Sequence, residues 1–218
     1  MKLEPNLQKH LQLGDDDIIH NPLGIISDLS DFSLLFKLMN VCPLPDLELE
    51  KLFKNLRYVI LSNVLDMKDA STELLKFQSA LASLCFTNEY VYNHTEDEDK
   101  RLHALEANLE KAFKNNEQPS PQVLLALASY KALHQYDWCK SLVVTDNIKD
   151  VFDRQVEEPN QEEKLKQDIP ILEEITDSVS SKVREQYEEN PYPRWVNLRL
   201  PLKPVAISKV CLLYTSDA

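Results

Sequence analysis

The stretch DLELEKLFKNLRYVILSNVL at residues 46–65 decides the fold class. Its apolar side chains recur at three- and four-residue steps, which places them on one face of an α-helix. They are Leu49, Leu52, Phe53, Leu56, Val59, Ile60 and Val64. Asp46 precedes the run and has the side chain of a helix N-cap. The pattern therefore predicts a long amphipathic helix that needs other helices to cover its apolar face.

The stretches on both sides of this helix carry the same kind of pattern. Upstream, Asp31 is predicted to cap a short helix from Phe32 to Met39. Downstream, the spacing predicts helices over residues 71–86 and from the acidic start at 95–99 to residue 115, since acidic residues suit a helix N-terminus. Ser120-Pro121 then opens a helix that is apolar nearly all round, so we expect it to be central.

The C-terminal part is predicted to contain two further helices. One runs over residues 146–156 and ends near Pro159, and the other is capped by Asp177 and runs to about Glu189 with a thin apolar stripe. No 34-residue repeat of the tetratricopeptide kind is present. The predicted fold is all-α, an irregular bundle or array of antiparallel helices followed by an extended Pro/aromatic segment.

The predicted domain boundaries follow these patterns. Residues 1–30 are expected to be an irregular lead, 31–156 the helical domain, and 157–175 an exposed acidic connection. Residues 176–210 are expected to hold the last helix and an extended lead-in to whatever follows.

The composition excludes several classes of function. The 218 residues include two glycines, Gly14 and Gly24, which is too few for a phosphate-binding or dinucleotide-binding turn. The formal net charge of −12 argues against nucleic-acid binding, because phosphate contacts need clustered Lys and Arg. No run of 18 apolar residues and no secretory signal are found, so we expect a cytoplasmic protein without a membrane span.

The stretch YEENPYPRW at residues 187–195 is chemically unusual. Pro191 ends the preceding helix, and two prolines hold the backbone extended by fixing φ. Tyr192 and Trp195 project from this stiff ribbon with Arg194 between them. A ribbon that is already ordered loses little entropy when it docks, so it suits a clamp over a surface or pocket, or a rigid linker whose aromatics fill a crevice.

VREQYEENPYPRW at residues 183–195 resembles the lead-in of bacterial class I S-adenosylmethionine-dependent methyltransferases with helical or tetratricopeptide-like N-terminal regions. LPDLELE at 44–50, NEYVY at 88–92 and RQVEEP at 154–159 also resemble that helical region. The resemblance covers about residues 30–210. In this family a Rossmann-like catalytic domain follows, and it transfers the methyl group of S-adenosylmethionine by direct displacement.

The resemblance implies a narrow set of site residues. Tyr187, Tyr192, Arg194 and Trp195 would lie beside the cofactor pocket, where an aromatic could cover the cofactor and the guanidinium could pair with a carboxylate. The interpretation we favour is that all four hold the helical region against the catalytic domain. The catalytic residues stay unassigned, because the glycine-rich cofactor turn of the family is not reached.

The end of the chain resembles a translated sequencing-adapter tail over residues 211–218. We therefore expect an N-terminal fragment with a foreign tail, truncated before the cofactor-binding core. We expect the fragment to be inactive alone and not to bind S-adenosylmethionine tightly. Its expected partners are its own catalytic domain and a protein partner or substrate, with no nucleic acid and no membrane.

Two alternatives come from other classes of function. The first is a stand-alone helical scaffold that binds a protein partner. The second is a metal- or ligand-binding bundle, which would need His and Glu at matched heights inside the bundle. His94 and His103 flank four acidic residues, but these acids lie at a predicted helix start, so we expect a solvated helix end and no metal site.

Overall fold

The computed structural model describes residues 5–170 and 177–189. Within these residues the secondary structure is helical and no strand is present, which confirms the all-α prediction. The helices are α1 Pro5–Leu11, α2 Asp15–His20, α3 Pro22–Ser30, α4 Ser33–Val41, α5 Leu47–Asn63, α6 Thr72–Thr87, α7 Glu96–Lys114, α8 Pro121–Ala128, α9 Lys149–Phe152, α10 Glu158–Asp168 and α11 Ser178–Glu189. Two 3₁₀ turns, Leu133–Gln135 and Asp137–Ser141, and a π-helical turn, Asp153–Glu157, complete the order.

Two long helices organise the packing. Helix α6 contacts α3, α4, α8 and α9, while α5 contacts α1, α2, α7 and α8. Helix α8 lies where these groups meet, and seven of its eight residues are buried, as expected for an apolar central helix. One continuous apolar core results, built from residues of α1 through α9.

The predicted cap of α5 is confirmed, and side chains also cap α6 and α7. The Asp46 carboxylate accepts hydrogen bonds from the N–H groups of Glu48 and Leu49, both at 3.0 Å. Ser71 caps α6, and Thr95 with Glu98 forms a capping box at the start of α7. These side chains satisfy N–H groups that have no partner inside the helix.

The predicted irregular lead at residues 1–30 is wrong for the part that is described. Residues 5–30 form α1, α2 and α3, and six of their apolar side chains are buried in the core: Leu7, Leu11, Ile18, Ile25, Ile26 and Leu29. Helices of seven, six and nine residues are too short to show a clear apolar period. Their N-terminal residues could not be distinguished from the polar residues around them. The Asn21 side chain caps α3 by accepting a hydrogen bond from the N–H of Gly24 at 3.3 Å. A Cβ at position 24 would lie 2.4 Å from this side chain, so a larger residue there would displace the cap.

Two predicted boundaries are also wrong. Helix α4 begins at Ser33 with Phe32 at its N-cap position, and Asp31 instead ends α3. The acidic connection at 157–175 is helical as far as Asp168, because α10 continues from α9 through the π-helical turn. The side chains of residues 157–170 are solvent-exposed except for the half-buried Pro159, as the acidic composition indicates.

Candidate functional site

Helix α11 carries the one predicted site residue that the structure describes. Tyr187 lies on its exposed surface, in line with Val179 and Val183 at four-residue spacing; we call these three residues the α11 stripe. Their exposed fractions are 59%, 67% and 45% respectively. Tyr192, Arg194 and Trp195 lie outside the described residues.

The start of α11 is fixed locally by Asp177, as predicted. Its carboxylate accepts a hydrogen bond from the N–H of Ser180 at 2.8 Å, and this bond lowers the pKa of Asp177. A helix of 12 residues is marginal in water on its own, and most helical stability in proteins comes from packing of the apolar face. The α11 stripe is thus an apolar face that stays exposed on a short helix.

A groove with an acidic rim lies along the outer face of the helix that begins with α9. It encloses about 610 Å³ and is lined by Val144, Lys149, Phe152, Asp153, Glu157 and Glu158. We call it the acidic groove. Lys149 pairs with Asp153, which leaves Glu157 and Glu158 as the excess negative charge of the rim. Phe152 and Val144 supply apolar surface between the charges.

A second groove lies between α4, α6 and the segment that leads into α9. It encloses about 320 Å³ and has an apolar floor of Phe36, Leu75 and Ala80. Lys76 stands on its rim together with Asp146 and Asp150. An apolar floor with a few polar groups at the edge is the usual form of a ligand or peptide site.

Arg57 is the most unusual buried side chain, with 1% of its surface exposed. Its guanidinium donates hydrogen bonds to the backbone carbonyls of Ser129, Tyr92 and Asn93, at 3.5, 3.2 and 3.4 Å. It also lies over the ring of Tyr130, with 4.0 Å between the guanidinium carbon and the ring centroid. These contacts join α5 to the chain segments after α6 and after α8.

Glu98 is the buried counter-charge of Arg57. One carboxylate oxygen lies 3.9 Å from the guanidinium and accepts from the hydroxyl of Tyr130 at 2.7 Å. The other accepts from the backbone N–H of Thr95 at 2.7 Å. The carboxylate thus serves as an N-cap partner and as an ion-pair partner, and burial raises the pKa of Tyr130, which keeps its hydroxyl proton for this bond.

Sequence reasoning missed this cluster because its members are far apart in the chain. Arg57 interrupts an otherwise apolar helix face, and this was the one signal in the sequence that pointed to the cluster.

The neighbouring thiol of Cys85 is fully buried, and burial raises its pKa to about 11, so it remains protonated at neutral pH. The cluster is closed to solvent and holds elements together, so we assign it a structural role.

The π-helical turn explains how Pro159 fits inside a helix. Proline has no N–H, so the carbonyl of Gln155 cannot receive its usual bond from the residue four positions later. The ring Nδ1 of His134 donates to this carbonyl at 3.0 Å. The wider turn over Asp153–Glu157 also gives room to the proline ring, which is the physical reason that the helix does not end at Pro159.

The side chain of Gln155 ties this turn to the core. Its amide nitrogen donates to the carbonyls of Ala82 and Ala128, at 3.1 and 3.0 Å, and its oxygen accepts from the N–H of Leu133 at 3.2 Å. The side chain is completely buried. Every hydrogen-bonding position that it uses therefore satisfies a backbone group in the core.

The acidic start of α7 is solvated only in part: Glu96 and Asp97 are exposed, as predicted, whereas Glu98 is buried against Arg57. His94 pairs with Asp99 at 2.9 Å between Nε2 and Oδ1, and both side chains are partly exposed. No group of three or more His, Cys, Asp or Glu suited to a metal is found in residues 5–170 and 177–189. Cys139 is buried at the core, and the half-buried ring of the preceding Trp138 stacks on Phe113.

Comparisons of the chain with protein-family models, curated proteins and solved structures gave no match. Among the described helices, none combines the length and apolar character needed to cross a membrane.

Proposed function

We propose that this chain is the N-terminal helical module of an S-adenosylmethionine-dependent methyltransferase. The α1–α10 body would bind a protein partner or present the methyl acceptor. Helix α11 and the Pro/aromatic block after it would form the joint to a catalytic domain. The observation that carries the proposal is the α11 stripe, which is exposed in this chain and leads directly into the YEENPYPRW block that resembles this family.

The proposal assigns different roles to the helical body and to the catalytic domain. The body buries its polar clusters around Arg57 and Gln155 as structural contacts. In the parent enzyme the methyl group would pass directly from the cofactor to its acceptor, with acceleration from holding the two in line. The part played by this chain would be to position one of them. Tyr187, Tyr192, Arg194 and Trp195 would fix the joint and border the cofactor pocket.

The proposal is tested by calorimetric titration of two proteins with S-adenosylmethionine. One is the present chain, and the other is the protein encoded when its reading frame is continued past codon 210. We expect heat of binding from the longer protein and none from the present chain at the same concentrations. Micromolar binding by the present chain would contradict the proposal, because the cofactor site would then lie within it.

The second candidate function is a stand-alone scaffold that binds a protein partner. It is favoured by the groove between α4 and α6, whose apolar floor of Phe36, Leu75 and Ala80 is bordered by charged groups. A scaffold needs no catalytic domain behind the joint. A longer reading-frame product that fails to bind the cofactor, or a frame that closes soon after codon 210, would favour this candidate.

A further inference from the structure

The charges of this chain are segregated along the sequence. Residues 190–210 contain Arg194, Arg199, Lys203 and Lys209, and none of the 36 Asp and Glu residues of the chain lies there. The chain as a whole has a formal charge of −12, so residues 1–189 are strongly acidic. The basic segment is also rich in large apolar side chains, among them Trp195. It therefore has the composition of a ligand for a surface with carboxylates around an apolar floor.

The acidic groove has this complementary composition. Glu157 and Glu158 are exposed on its rim, and Phe152 and Val144 provide apolar surface between the charged groups. The pairing of Lys149 with Asp153 neutralises one carboxylate and leaves the other two for a cation from outside the groove. The groove between α4 and α6 has one Lys for two Asp, so its excess negative charge is smaller.

We infer that the basic segment 190–210 of this chain binds in the acidic groove. Its Arg and Lys side chains would pair with Glu157 and Glu158, and its apolar side chains would cover Phe152 and Val144. The inference concerns the present chain by itself. In the longer protein of the proposed function the same residues would form the joint, so the groove and the joint would compete for them.

The chain is long enough for this contact. The nine residues 169–177 that precede α11 can span about 30 Å when extended. The 12 residues of α11 add about 18 Å at the rise of an α-helix. The groove begins on the helix that directly precedes this connection, so the connection and α11 together are long enough for the chain to return to it.

The nature of the contact predicts its response to salt. Exposed ion pairs are weak and are screened within about 10 Å at an ionic strength of about 0.1 M. Losing two such pairs is expected to shift the ratio of bound to free segment about fivefold. The contact should therefore weaken both with added salt and with reversal of the rim charges.

The test measures the accessibility of Trp195 to acrylamide, a neutral quencher, in the full-length chain. All samples carry Trp138→Phe, which preserves an aromatic ring beside Phe113 and leaves Trp195 as the remaining one of two tryptophans. The test variant adds Glu157→Lys and Glu158→Lys. The matched control adds Glu162→Lys and Glu163→Lys, which make the same charge change on exposed positions of the same helix.

We expect restricted quenching of Trp195 in the parent protein. Quenching should increase in the Glu157→Lys, Glu158→Lys variant and with about 0.5 M salt, but not in the control variant. Equal quenching in both variants would overturn the inference. So would quenching that depends on protein concentration, because a second copy would then occupy the groove.

A second measurement on the unchanged chain does not rely on folding of the variants. A carbodiimide joins a lysine amine to a carboxylate in contact, with loss of water, and the joined peptides are identified by mass. We expect links from Lys203 or Lys209 to Glu157 or Glu158. Links from these lysines to other acidic stretches alone, or none at all, would overturn the inference.

Discussion

Arg57 shows how one side chain can join distant parts of this fold. Its removal would leave the carbonyls of Ser129 and Tyr92 in the interior, and that of Asn93 nearer the surface, without this donor. It would also leave the buried Glu98 without its counter-charge. We predict that Arg57→Met lowers the free energy of unfolding by about 3–5 kcal/mol, as expected when one partner of a buried pair is lost. Urea denaturation of both proteins at neutral pH measures this difference.

The control for that variant is Arg101→Met. Arg101 pairs with Asp97 at 2.6 Å on the exposed face of α7, where solvent screens the pair. We expect little change in stability from it. Equal effects of the two substitutions would show that the buried cluster has no special role.

The buried thiol of Cys85 is expected to lower the stability of the protein at alkaline pH. Burial raises the pKa of its thiol to about 11 in the folded protein, above the ordinary value of 9.0. The unfolded chain therefore loses this proton first, and stability falls as the pH rises from about 9 towards 11. Tyr92 and Tyr130 also have raised pKa values from burial, and they add to the loss at higher pH.

The Cys85→Ala variant isolates this contribution. We predict that its free energy of unfolding declines less steeply between pH 9 and pH 10 than that of the parent protein, whatever its stability at pH 8. Urea denaturation across this range measures the slope. Identical slopes would contradict the assignment to Cys85.

At the scale of elements, the helix over residues 149–168 depends on one buried amide. Replacing Gln155 with Ala would leave the buried N–H of Leu133 without its acceptor and would remove one donor each from the carbonyls of Ala82 and Ala128, of which the second keeps the hydroxyl of Tyr90. We predict a loss of about 2–3 kcal/mol in unfolding free energy, because the unpaired N–H keeps its desolvation cost and two further hydrogen bonds are lost. Gln161→Ala, at an exposed position of the same helix, should change stability by less than about 0.5 kcal/mol.

Hydrogen exchange would locate the effect of Gln155→Ala. The amides of residues 149–168 should exchange faster in this variant, while those of α5 should keep their relative protection. A uniform increase over the whole body would indicate that the π-helical turn is not a separate source of stability.

The elements that the sequence could predict are those with long apolar periods and clear caps. Helices α5, α6 and α7 have both, and Asp46 caps the first of them as predicted. Helix α8 was predictable from its nearly continuous apolar run after Ser120-Pro121. Three features could not be predicted. The short helices before residue 31 lack a resolved period, the passage through Pro159 depends on His134 from another segment, and the Arg57 cluster forms only when distant segments meet.

The candidate site was predictable only as a stripe. The four-residue spacing of Val179, Val183 and Tyr187 predicts the thin apolar stripe of the last helix, whereas the exposure of these side chains depends on how the helix packs. Both grooves lie on residues far from the Pro/aromatic block, and neither has a sequence motif. Packing of several helices creates them, which local patterns do not encode.

For the molecule as a whole, the α11 stripe is proposed to serve as a joint and not to stabilise the α1–α10 body. We predict that changing Val179, Val183 and Tyr187 together to Gln alters the unfolding free energy of the present chain by less than about 1 kcal/mol, because exposed positions contribute little. Leu105→Ala, a completely buried position of α7, should cost about 2–5 kcal/mol. A large loss of stability from the stripe variant would show that these residues already serve the body.

The central claim is that the helical body precedes a class I methyltransferase domain. The most direct measurement is to read the source DNA past codon 210 in the same frame. The account predicts a short β-strand pattern of apolar residues followed by a glycine-rich turn of the Gly-x-Gly type, which holds the cofactor in that fold. A stop codon, or a long continuation without such a strand and turn, would contradict it.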